Sequence, residues 1–113
     1  MEEKIKKRNV AFEKKISELT DEDIRVKVVG TVIEKDSSNN SIVIKDNESK
    51  LRILLDERMF NEVKTEKVIR VIGIVAPPLE GDTVELKGEI IQDFSGLNFE
   101  LYERYLKLKN IKN

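Results

Sequence analysis

Lys27, Lys45, Arg52 and Arg70 are the residues of this chain best placed by type and spacing to do chemistry. Each follows or precedes a β-branched or leucine residue in an alternating run. Period two therefore sends these cations to one side of a sheet and the apolar residues to the other. Guanidinium and ammonium groups arrayed on a strand surface can hold phosphates, with no preference for base sequence. Such charges also serve strand solubility and edge protection, and that is the competing reading. A second basic run, Lys4, Lys6, Lys7 and Arg8, could hold phosphate electrostatically or simply be a solvated arm.

Catalytic chemistry is poorly supplied. The 113 residues include no Cys and no His. That removes thiol nucleophiles, disulfides, histidine acid–base pairs and zinc-finger sites. Asp21 with Asp23, and Asp46 with Glu48, put two carboxylates on a turn, too few ligands for calcium. The five glycines are never paired as a phosphate-cradling loop requires. Neither an enzyme nor a bound cofactor is expected. The charged N-terminus has no apolar signal region, and no apolar run suits a membrane span, so the expected location is cytoplasmic.

The elements that must carry the four cations follow from composition. Thirteen Ile and eleven Val stand against two Ala, and branching at Cβ favours pleated structure over helix. Strands are expected at 24–33, 41–45, 51–55, 68–75 and 83–91. Gly30 and Gly73 fall mid-strand, where a sheet bends or bulges. Asp56 opens a helical turn over 56–63, with Met59, Phe60 and Val63 on one face. Val26, Val28, Ile42, Ile44, Leu51, Ile53, Val71, Val84 and Leu86 should point into the core. Three strands, a short helix, two strands and an appended helix is the element order of an all-β, five-stranded OB-fold barrel. An open sheet or an SH3-like barrel under the last helix is the alternative. The expected division is an N-terminal basic arm over 1–20, a barrel over 21–95, and a C-terminal helix and tail over 96–113.

That final helix, expected at 97–108, sets Leu97, Leu101, Tyr105 and Leu108 at steps of four, four and three, with Tyr102 and Leu106 widening the stripe. Part of it would suffice to cover the barrel. Narrow stripes at such steps also suit helix–helix seams with partner subunits. Two features count against strong nucleic-acid binding by the barrel alone. Residues 21–95 carry 11 bases and 16 acids, and none of the six aromatics lies in an expected strand.

The segment Val26-Lys27-Val28-Val29-Gly30-Thr31-Val32-Ile33 resembles the first strand of the archaeal replication-protein-A-type single-stranded-DNA-binding proteins, especially their small OB subunits. Val68-Ile69-Arg70-Val71-Ile72-Gly73 is similar to their fourth strand. Arg8-Asn9-Val10-Ala11 with Ile16-Ser17-Glu18-Leu19 is similar to their lead-in. The resemblance spans about residues 8 to 109 and implies no catalysis. It also implies single-strand binding on the open barrel face and assembly through C-terminal helices, in DNA replication or repair. Two departures stand out: Asp46-Asn47-Glu48-Ser49 lacks the family's turn glycine, and stacking aromatics are missing from the strands. The function expected is thus a single-stranded-DNA-binding subunit, alone or only within a complex. The alternative is a structural OB module that assembles through its helix without touching nucleic acid.

Overall fold

The computed structural model describes residues 10–77 and 84–112. The basic run Lys4–Arg8 and the expected start of a strand at Thr83 lie outside the described residues. Two residues, Phe12–Glu13 (β1), lead into a single 3-10 turn at Ile16–Glu18. Then come β2 (Arg25–Asp36), β3 (Ser41–Lys45), β4 (Lys50–Leu54), helix α1 (Glu57–Glu62), β5 (Val68–Ala76), β6 (Glu85–Asp93) and helix α2 (Phe99–Lys112). The expected element order is present, preceded by the 3-10 turn and one added strand. Phe12 and Glu13 pair in parallel with Val26 and Lys27, making six strands where the sequence suggested five. A two-residue strand has no period to read. Its pairing is decided by β2, whose first half has one edge open beside β5.

The sheet runs β1-β2-β3-β4-β6-β5, and β5 returns to pair with β2, so it closes on itself. Closure depends on β2 serving two partners. Residues 25–31 pair with β5, and from Thr31 onward the strand pairs with β3. Gly30 sits just before that change, where a Cβ would lie 3.1 Å from both Ile44 and the Lys45 carbonyl. Gly73 lies at the register shift between β5 and β6, and a Cβ there would collide with the Lys87 carbonyl. Both glycines allow backbones to approach at bends, as their mid-strand positions suggested.

All nine residues expected to face inward are buried, with Val28, Ile44, Ile53, Val71 and Leu86 fully so. Helix α1 closes one end of this core with Phe60 and Val63. The Asp56 carboxylate accepts from Met59 N–H at 2.8 Å and caps its start. At its other end Lys35 Nζ donates to the Val63 carbonyl at 2.7 Å and lies 4.4 Å above the Phe60 ring. One cation thus satisfies a helix-end carbonyl and a ring face together. No helix among the described residues is long and apolar enough to cross a membrane.

Candidate nucleic-acid interface

Pleating sends the odd-numbered residues of β2's first half outward, and pairing sets them beside matching residues of β3 and β5. Lys27 lies on β2 opposite Ile72 of β5, and Arg70 lies one row away opposite Val29. Lys45 ends β3 opposite Thr31 and Lys50, and Arg52 lies on β4 opposite Val43. The four cations therefore occupy four successive strands, β4-β3-β2-β5, as the alternation required.

They are not equivalent. Arg52 donates from Nη1 to Ser41 Oγ at 3.0 Å, and its Nε lies 3.8 Å from a Glu85 carboxylate oxygen. Arg70 donates from Nε to Gln92 Oε1 at 2.6 Å, with its guanidinium 4.8 Å over the Phe94 ring. Both arginines are held by the sheet's own side chains. Lys27 and Lys45 have no carboxylate at ion-pair distance among the described residues. Acids flank the cations on both sides: Glu13 of β1 is placed opposite Lys27, and two more lie at the far end of β2. Glu34 is placed opposite Val43 and Asp36 opposite Ser41. Asp36 is held below its usual range by the Ser38 hydroxyl and amide, with a smaller contribution from the charge of Arg52.

Helix α2 packs on this face. Asn98 starts it by accepting from the Glu100 and Leu101 amides at 3.0 and 3.2 Å. Phe99, Tyr102, Glu103 and Leu106 then face Val29, Asp46, Lys14 and Lys15 across a narrow crevice. Leu106 is 2% exposed and Val29 3%. The helix thus sits at Val29, whose cross-strand neighbour is Arg70, and reaches Glu13, the neighbour of Lys27. A stripe at 99, 102 and 106 does the packing. The stripe singled out from sequence is displaced from it by one residue: Leu97 precedes the helix, while Leu101 is 58% exposed, Tyr105 48% and Leu108 62%. Tyr102 belongs to the inner side, half-buried. Burial, then the nearby Glu13 charge, raises its phenol well above the ordinary value.

Glu13 is a residue the sequence reading missed. Its two carboxylate oxygens accept from the hydroxyls of Tyr102 at 3.5 Å and Tyr105 at 3.3 Å. Phe94 was also missed as a partner of Arg70. Its position beyond the expected strand concealed that it extends the same outer face. The turn carboxylates have local duties. Asp46 accepts from the Glu48 and Ser49 amides, and Asp23 accepts from Thr20 N–H while pairing with Lys14 at 2.7 Å.

No protein-family model matches the chain, and no curated protein matches it in sequence. Solved structures do. The chain is similar to the S. pombe Stn1–Ten1 complex, with a TM-score of 0.68 at 13% identity, covering 93% of this chain and 96% of that one. It is similar to the telomere capping protein Ten1 from S. pombe, at a TM-score of 0.67 and 13% identity, covering 89% and 98%. An OBody, AM3L09, bound to hen egg-white lysozyme gives 0.63 at 19% identity, covering 74% and 95%. The likeness is one of fold. It extends over most of both chains for the first two of these structures.

Proposed function

We propose that this chain is a small OB subunit of a multi-subunit, single-stranded-nucleic-acid-binding complex of the replication-protein-A type. The observation that carries the reading is the two-sided α2. Its inner side is already engaged by Val29 and by Glu13, which both tyrosines reach, yet Leu101 and Leu108 remain exposed on the other side. An apolar stripe left over after a helix has packed is what a helix–helix contact with a partner subunit would use. Similarity to a fold seen within a two-protein complex, and in a protein named for telomere capping, supports this placement.

Lys27 and Lys45, outward and without a carboxylate partner among the described residues, are the residues that would meet phosphates. Arg52 and Arg70 would contribute less, since each must leave an existing partner first. Affinity of the isolated chain should accordingly be modest and strongly salt-dependent. Fluorescence anisotropy of a labelled oligothymidine at low and near-physiological salt tests the binding half of the proposal. Micromolar binding that collapses with salt is expected; no binding at low salt, alone or with a captured partner, would overturn it.

A second reading, an assembly module with no nucleic-acid contact, is favoured by one observation: Arg52 is engaged by Glu85 and Ser41 on the β4 surface. The anisotropy experiment separates the two.

A further inference from the structure

The closed sheet has a gap. β4 and β6 pair in parallel only at Ile53–Leu86 and Leu54–Lys87, after which β4 ends and the chain turns into α1. β6 continues to Asp93 with β5 on one edge and, among the described residues, no strand on the other. Between that second edge and α1 lies a groove of about 610 Å³. Its apolar lining includes Met59, Val63, Ile69 and Ile91.

The register determines which backbone groups face the groove. Phe94 N–H donates to the Val68 carbonyl, and Arg70 is opposite Gln92. In an antiparallel ladder the bonded pairs recur every second residue, so 94 and 92 turn their amides and carbonyls toward β5. Those of Ile91 and Asp93 turn the other way, toward the groove. No backbone partner reaches either amide among the described residues. Four carboxylates also line the groove, each engaged within the chain: Asp56 by the Met59 amide, Glu62 by Arg58, Glu89 by Arg25 and Asp93 by Ser95. Lys64 and Lys67 have no carboxylate within ion-pair distance among the described residues, although the Lys67 charge makes a minor contribution at Asp93. The other cation there, Arg58, is taken by Glu62 at 3.5 Å.

We infer that this edge accepts an extended peptide segment from another protein, added as a further strand beside β6. Backbone groups that recur at every second residue recognise another extended backbone, which neither a folded helix nor a nucleobase supplies. The added strand's own alternation would lay every second side chain on Met59, Val63 and Ile91 and turn the others to solvent. Apolar residues suit the first set. Acidic residues suit the second, because the groove's own carboxylates are engaged within the chain while Lys64 and Lys67 form no ion pair among the described residues. The occupant is therefore an alternating apolar–acidic segment of about five to seven residues, and this site is separate from both α2 and the Lys27–Lys45 surface.

The test uses the full chain, labelled with nitrogen-15, and an acetylated, amidated heptapeptide alternating Glu and Val. Saturable shifts at Met59, Val63, Ile91 and Asp93, with slowed exchange of the Ile91 and Asp93 amides, are expected. N-methylation of the peptide amides that face β6 should weaken binding at least tenfold. The K64E/K67E double variant, both residues exposed, should keep its fold and weaken it severalfold. Absence of shifts at millimolar peptide would overturn the inference. So would shifts confined to the two lysines and reproduced by the N-methylated peptide, which would mean charge attraction only. Protection of the same amides by oligothymidine instead of peptide would also overturn it.

Discussion

The Tyr102 hydroxyl donates to the Glu13 carboxylate across 3.5 Å, joining α2 to a strand 89 residues earlier in the chain. With the neighbouring Tyr105 contact, it makes β1 and α2 depend on each other. Tyr102 ionises only well above the ordinary phenol value of 10.0, because burial and then the Glu13 charge oppose a phenolate. The sign of the linkage follows. Below 10.0 the folded and unfolded chains both hold the proton, so this stabilisation is complete. As pH rises past 10.0 the unfolded chain releases its proton first, and stability falls. Urea unfolding midpoints between pH 8 and 11 should show this decline, and Tyr102→Phe should flatten it at a cost of about 1 kcal/mol or less at neutral pH.

Asp23 has the opposite dependence. Burial works to raise it, but hydrogen bonds from Lys14 and the Thr20 amide prevail and hold it below 3.8. Its stabilisation is present above 3.8 and lost as pH falls through the folded value. Asp23→Asn should reduce the acid sensitivity of the unfolding midpoint between about pH 4 and 2.

Leu106 and Leu101 stand five residues apart on one helix and should answer differently to the same change. Leu106→Ala empties a site that is 2% exposed and should cost about 2–4 kcal/mol in urea unfolding. The double change L101D/L108D alters exposed positions and should leave the unfolding midpoint almost unmoved, since surface changes stay within about 0.5 kcal/mol. Under the proposed assembly, that second variant alone loses its partner in sedimentation or pull-down of the complex.

Charge reversal at Lys27 and Lys45 separates phosphate binding from a scaffold role. K27E/K45E should keep the circular dichroism spectrum and weaken oligothymidine binding at least tenfold. The slope of log affinity against log salt should fall by roughly one for each phosphate that is no longer neutralised. Unchanged affinity and slope would remove both lysines from the binding surface.

Gly73→Ala places a methyl group against the Lys87 carbonyl, where only backbone movement can relieve it. A loss of about 2 kcal/mol or more is expected. Gly96→Ala meets nothing within 4 Å, but the φ of 89° there disfavours any side chain, so a smaller loss of about 1 kcal/mol should follow. Thermal unfolding of the two variants measures the difference.

The alternation from Ile24 to Val32, the β-branched bias and the mid-strand glycines were legible without coordinates. They are local consequences of side-chain shape and of the two-residue period, and they indicated the five longer strands, the inward set and the outward set. The sequence alone also placed Lys27, Lys45, Arg52 and Arg70 on the outside, because each neighbours a residue that must go in. It did not reveal which of them were occupied. Ser41, Glu85, Gln92 and Phe94 reach the two arginines only after strands distant in sequence have paired. The stripe at 97, 101, 105 and 108 illustrates the same limit. Spacing identifies an apolar face, but a helix with two such faces gives no local reason to prefer one, and the choice fell to Val29 and Glu13. The open edge of β6 was the least legible feature. A free edge is defined by the strand that is missing beside it, and only the closed tertiary sheet decides where pairing stops.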